Sequence, residues 1–85
     1  MYKIYYSRAA IRALKKMPKV QLEKVISKID KLAEDPYGPI DVKALKGRDA
    51  NRLRVGNWRI IYQIKDTKLA ILVIKIALRS KVYKL

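Results

Sequence analysis

The stretch NRLRVGNWRIIYQI, residues 51–64, holds two runs of strand-forming residues separated by Gly56-Asn57. Glycine followed by a small polar residue between alternating apolar positions is the signal of a two-residue hairpin loop in a primed turn. With that turn Val55 faces Trp58, and counting outward pairs Arg54 with Arg59, Leu53 with Ile60 and Arg52 with Ile61. Side chains alternate along a strand, so Leu53, Val55, Trp58, Ile60, Tyr62 and Ile64 share one face. Arg52, Arg54 and Arg59 share the other. The first is a core face, and the second is a cluster of three guanidiniums. Like charges directly opposed across a strand pair are destabilising, so a sequence under no other demand would avoid them. An anion between them reverses the sign. Guanidinium groups present fork-shaped donors that match phosphate oxygens and stay charged at any physiological pH, so the pattern points to a phosphate site.

The rest of the composition agrees. The 85 residues carry 21 Lys plus Arg against 7 Asp plus Glu, a formal net charge of +14, where a small domain ordinarily carries a magnitude of about 2 to 8. Such a charge is the electrostatic footprint of a protein that meets a polyanion or an acidic partner. The chain has no cysteine and no histidine. That removes a disulfide framework, a thiol nucleophile, the commonest general acid/base and the commonest metal ligand. No cofactor is expected, and any chemistry falls to Lys, Arg, Tyr or the few carboxylates. The longest apolar run, LAILVI at 69–74, is far short of the roughly 20 residues of a membrane-spanning helix. The N-terminus MYKIYYSRAA lacks the apolar stretch of a signal peptide, and a cytoplasmic protein with no membrane partner is the expectation.

Working outward, YKIYY (2–6) reads as a first strand, and Ser7 stands where an N-cap opens a helix. Ile11, Leu14 and Met17 follow at helical spacing. Pro18 fits the first position of a second helix that runs to about Asp35. Its apolar stripe is Leu22, Val25, Ile26, Ile29, Leu32 and Ala33. Glu23, Asp30 and Glu34 recur on one face among lysines, which makes a solvated face and not a paired-carboxylate site. EDPYGPID (34–41) breaks the pattern into a loop. Strand patterns follow in VKALKG, NRLRV, WRIIYQI and LAILVIKIAL, with DT (66–67) as a second tight turn and a short tail, RSKVYKL. The expected fold is α+β, with an N-terminal strand and a helical hairpin packed on an antiparallel sheet of about four strands. No linker or repeat divides residues 1–85, so one domain is expected. The strand at 69–78 is apolar on both faces and should lie inside the sheet. Whether its end brings Arg79 to the cluster depends on register, because a one-residue slip flips every side chain.

The order of these elements, with LKG (45–47), RLRVGNWRIIYQI (52–64) and a closing R-S-K-V-Y (79–83), resembles the RelE/ParE superfamily of bacterial and archaeal toxins over essentially the whole chain. The arginine followed four residues later by tyrosine favours its RelE-like branch. The resemblance implies a microbial-ribonuclease-like fold and an endoribonuclease that cleaves mRNA in the ribosomal A site. It also implies a cognate RelB-like antitoxin as partner, with operator DNA bound through the antitoxin. Carried over position by position, Arg52, Arg54, Arg59, Arg79 and Tyr83 fall on the family's usual active-site positions. RNA carries its own nucleophile in the 2′-OH, so the reaction needs only a base, stabilisation of the phosphorus centre and an acid for the leaving oxygen. Arg52, Arg54 and Arg59 would stabilise the phosphorus centre, Arg79 the leaving group, and Tyr83 would stack on or orient a nucleotide. Relatives often carry lysine at the positions of Arg52 or Arg54, and Gly-His-Arg where this chain has Ala77-Leu78-Arg79. The base is left open.

Lys43, Lys46 and Arg48 would extend the positive surface as nucleic-acid backbone contacts, and helix lysines such as Lys15, Lys16, Lys19, Lys24, Lys28 and Lys31 would extend it further, as ribosomal RNA contacts or plain solubility residues. An amphipathic or acidic antitoxin segment should find an exposed apolar groove beside the helices or the sheet edge. Two rival readings remain: a non-nucleolytic inhibitor of DNA gyrase, as in the ParE-like branch, and an inactive relative that keeps only antitoxin binding.

Overall fold

The computed structural model describes residues 1–38 and 50–81 in full and residues 42–44 as backbone. The chain runs β1 (Lys3–Tyr6), α1 (Arg8–Lys16), α2 (Lys19–Glu34), β2 (Val42–Ala44), β3 (Asn51–Val55), β4 (Trp58–Lys65), a 3-10 turn (Asp66–Lys68) and β5 (Ala70–Leu78). The four later strands form an antiparallel run, as expected. The N-terminal strand adds a fifth, parallel to β5, and makes the sheet mixed, in the order β1-β5-β4-β3-β2. A parallel pair needs a long crossover, and here the helical hairpin and the rest of the sheet supply it. β5 is interior, between β1 and β4.

The hairpin register is the one read from the sequence, with Val55 opposite Trp58, Arg54 opposite Arg59 and Arg52 opposite Ile61. Gly56 alone at the turn takes a positive φ, +57°, which places the connection with the II′ turns that match strand twist. Both helices cover one face of the sheet. Val25, Ile29, Leu32 and Ala33 of α2 meet Leu53, Val55, Ile60, Tyr62, Ile71 and Val73 in the core. The face of α1 is Ala10, Ala13, Leu14 and Met17, and Ile11 is 41% exposed. Pro18 is the N-cap of α2 and not its first residue. Trp58 Nε1 donates to Gln21 Oε1 at 2.7 Å and ties the hairpin to α2. The Tyr62 hydroxyl is buried without a hydrogen-bond partner among the described residues, and burial, with Tyr37 nearby, pushes it up to about 12. No helix of the described residues is long and apolar enough to cross a membrane.

β5 does not keep a strict alternation. Tyr62 pairs with Val73 and Ile61 with Lys75, so Ile74 is an extra residue, a β-bulge. Strict alternation from Ile71 would have put Lys75 into the core; the bulge turns Lys75 to the opposite face and brings Ile76 in, 5% exposed. Ser7 holds this point. Its N–H donates to the Val73 carbonyl at 2.9 Å, and its Oγ donates to the Ile74 carbonyl. The same Oγ accepts from the Ala10 N–H at 3.1 Å as the N-cap of α1. Ser7→Ala should therefore remove a cap and orphan a bulge carbonyl together, lowering stability by about 2 kcal/mol and Tm by about 10 °C, measured by circular dichroism.

The DT turn is longer than expected, since Lys65 pairs with Ala70 and four residues lie between them. Leu69 closes this connection at φ 48°. At the same end, Tyr2 Oη donates to Asp66 Oδ1 at 2.7 Å and Tyr37 Oη to Oδ2 at 2.6 Å. The clamp ties the start of β1 and the loop after α2 to the β4–β5 connection. The hydrogen bond to Asp66 pushes Tyr37 up to about 12 and raises Tyr2. The bonds from Tyr37 and then Tyr2 hold the Asp66 carboxyl below its ordinary value. A depressed carboxyl contributes stability above its unfolded pKa of about 4 and loses it as pH falls further; a raised phenol contributes below about 10 and loses it as pH climbs. The Tm difference between the parent and Asp66→Ala should therefore be largest from about pH 5 to 9 and shrink on both sides.

Candidate nucleic-acid interface

Opposite the helices, two rows of side chains cross the sheet. Arg54 of β3, Arg59 of β4 and Ala77 of β5 stand in one row, and Arg52, Ile61 and Lys75 in the next. The alternation that buries Leu53, Val55 and Ile60 sets both rows on the far side. The three arginines read from the hairpin thus share a face.

Arg59 is the buried member, 6% exposed, while Arg54 is exposed and Arg52 half-buried. Its guanidinium turns back over the hairpin, and Nη1 donates to the Gly56 carbonyl at 2.7 Å and to the Trp58 carbonyl at 3.0 Å. Burial first, then the charges of Arg54, Arg52 and Arg79, lower the Arg59 pKa. All three charges named are guanidiniums. A buried cation held by backbone carbonyls and faced by like charges keeps a fixed position, and the field of the cluster draws an anion in.

The bulge decides the place of Arg79. Past Ile74 the alternation of β5 is inverted, so Ala77 faces the arginines and Arg79 follows it on the same parity. The Arg79 N–H donates to the Asn57 carbonyl at 2.8 Å, which fastens the end of β5 to the hairpin turn. Arg79 is exposed and lies close enough to Arg59 to act on its pKa. The structure therefore joins Arg52, Arg54, Arg59 and Arg79. Lys43 stands opposite Arg52 in the β2–β3 register. Tyr83, Lys46 and Arg48 lie outside the described residues.

Sequence reading missed Lys75, which the bulge sets in the row of Arg52. The signal was present: a lysine in an apolar run, at a position that unbroken alternation assigns to the core. A groove of ≈ 500 Å³ lies between α2 and the hairpin, lined among others by Val20, Lys24, Lys28, Lys31, Arg54 and Val55. Its lining surface is mostly apolar, as expected, with these cations and Glu23 among its residues. Among the described residues no group of three acidic side chains is placed to hold a metal ion.

The arrangement can bind a phosphodiester and disperse charge that builds on it. A bound anion should also stabilise the fold by mass action. Phosphate or sulfate should raise Tm more than chloride at equal ionic strength. Arg59→Met should flatten that difference and, because relief of the like-charge repulsion offsets part of the two lost hydrogen bonds, lower stability in chloride by only about 1 kcal/mol.

Residues 4–83 match the family model for the ParE toxin of type II toxin-antitoxin systems, parDE, and the chain belongs to that family within the RelE/ParE superfamily of toxins. Among solved structures, it is similar to the RelE chain of an archaeal RelE–RelB complex from Pyrococcus horikoshii, at 26% identity and a TM-score of 0.81, covering 95% of this chain and 98% of that one. It is similar also to a chain of the E. coli RelBE toxin-antitoxin complex, at 21% identity and a TM-score of 0.80, covering 92% and 96%. A YoeB/ParE toxin from Agrobacterium tumefaciens matches at 16% identity and a TM-score of 0.78, covering 89% and 96%. The fold is thus RelE-like. No curated protein matches by sequence.

Proposed function

We propose that this toxin is a ribosome-dependent mRNA endonuclease of the RelE-like kind, and the convergence of Arg52, Arg54, Arg59 and Arg79 on one face is the observation that carries the reading. In the reaction the 2′-oxygen of a nucleotide attacks the adjacent phosphorus and loses its proton. The bond from phosphorus to the 5′-oxygen breaks, and that oxygen takes up a proton, leaving a 2′,3′-cyclic phosphate and a 5′-hydroxyl. Charge gathers on the non-bridging oxygens as this happens. Arg59, pinned before substrate arrives, meets it without reorganising, and Arg52 and Arg54 flank it. Arg79, across the hairpin turn, supports the departing oxygen, and Tyr83 stacks on a nucleotide. Lys43, Lys46 and Arg48 hold the backbone.

Guanidiniums do not accept protons at physiological pH. The cluster supplies charge and position, not a base, which is why the reading ties the reaction to the ribosome. A RelB-like antitoxin fits the positive surface by charge, and the groove between α2 and the hairpin is the place for one of its segments. A cytoplasmic site of action follows from this reading. One observation favours a second reading, the gyrase inhibition of the ParE-like branch, because the family model that matches is the ParE one.

The test maps mRNA 5′ ends on translating ribosomes with the purified toxin, its Arg59→Ala variant and naked RNA alongside. Cleavage on ribosomes alone, lost by about 100-fold or more in the variant, is the expected result. Intact message together with blocked supercoiling by gyrase would establish the second reading.

A further inference from the structure

The arginine cluster occupies one corner of the face opposite the helices, and the rest of that face has a charge pattern of its own. Ile4 and Tyr6 of β1 pack against the core, so Lys3 and Tyr5 fall on the other side. There Tyr5 pairs with Leu72, which pairs with Gln63 of β4. Cationic positions on this face are Lys3, Arg52, Arg54, Arg59, Lys65 and Lys75, and no described strand position on it is Asp or Glu. Of the described carboxylates, Glu23, Asp30 and Glu34 lie on α2, Asp35 caps its end, and Asp66 sits in the β4–β5 connection, held by Tyr2 and Tyr37. Tyr5 is 53% exposed.

Cations with an exposed aromatic ring among them, on one strand face, make the arrangement by which proteins hold single-stranded nucleic acid: charges follow the backbone, and a ring stacks on a base. We infer that single-stranded RNA runs from the arginine cluster across Lys75 to Tyr5, whose ring is a stacking platform for a base outside the scissile step. Tyr5 lies three strands from β3, about 14 Å at the usual strand spacing. That is about four nucleotides of stacked strand and fewer of an extended one. The bulge at Ile74 is what completes the track, since it moves Lys75 onto this face between the arginines and β1. This deepens the proposed function, on which it rests, and extends the substrate's footprint beyond the arginines.

The test measures fluorescence anisotropy of labelled single-stranded RNA with the whole chain, using oligonucleotides of about two and about eight nucleotides. Tyr5→Ala should weaken binding of the longer oligonucleotide by about 5- to 100-fold, with little change for the shorter. Tyr5→Phe should retain parent affinity, because it keeps the ring and loses only the hydroxyl. Lys75→Gln should lower the salt dependence for the longer oligonucleotide by about one phosphate contact. An unchanged Tm shows that the Tyr5→Ala variant is folded. Equal affinity of parent and Tyr5→Ala for the longer oligonucleotide would overturn the track while leaving ribosomal cleavage by the arginines intact. Failure of the parent to bind RNA of either length would overturn it as well, and the cleavage assay with Arg59→Ala decides the proposed function separately.

Discussion

Ser7 and the extra residue in β5 form the junction on which the rest depends. One hydroxyl accepts the Ala10 N–H in the first turn of α1 and donates to the carbonyl of Ile74, so the start of the helical hairpin and the shift of register in the sheet are made in one place. Upstream of the bulge, Ile71 and Val73 face the helices; downstream, Ile76 does. The inversion costs a ladder position, and its yield is two side chains. Lys75 leaves the core, and Arg79 arrives on the face of the hairpin arginines. Bulges commonly lie beside functional sites because they re-aim side chains in this way.

The cluster answers the question raised by opposed arginines in a hairpin. Among the described strand positions, no carboxylate stands between Arg54 and Arg59 to relieve their repulsion. It is contained by geometry: Arg59 folds back on the Gly56 and Trp58 carbonyls, while Arg54 extends into solvent. Carbonyl oxygens disperse part of one charge without cancelling it, so the field persists. The aspartate clamp of Tyr2 and Tyr37 sits at the other end of β4, where a negative charge holds the fold without weakening the cluster.

How much of this the sequence disclosed follows from which signals were local. The hairpin was legible to the residue, because Gly56-Asn57 specifies the turn and the alternation on either side admits one register. Ser7 and Pro18 marked the helix boundaries to within a residue for the same reason, since caps and proline act on their own backbone. β5 was not legible. AILVIKIAL is otherwise apolar on both faces, as an interior strand is, so Lys75 alone signals a break in alternation and nothing around it locates the extra residue. The parallel pairing of β1 was hidden too, being set by residues nearly 70 positions away. Of the site, three arginines could be read from the hairpin, but the company of Arg79 and Lys75 depended on a defect that periodicity cannot express.

A site built from guanidiniums has a chemical limit that bears on how such a toxin is controlled. Lysine or histidine in these positions could lose a proton and serve as a base; arginine gives position and charge under all cellular conditions. Under the proposed reading, the affinity for phosphodiester is therefore permanent and the catalytic cycle is incomplete without a group from the surroundings. Permanent affinity with conditional chemistry suits a protein whose +14 charge would otherwise bring it to any RNA. It also makes the positive surface the natural point of control, since an acidic partner seated near Arg54 would compete with substrate through the same charges that bind it.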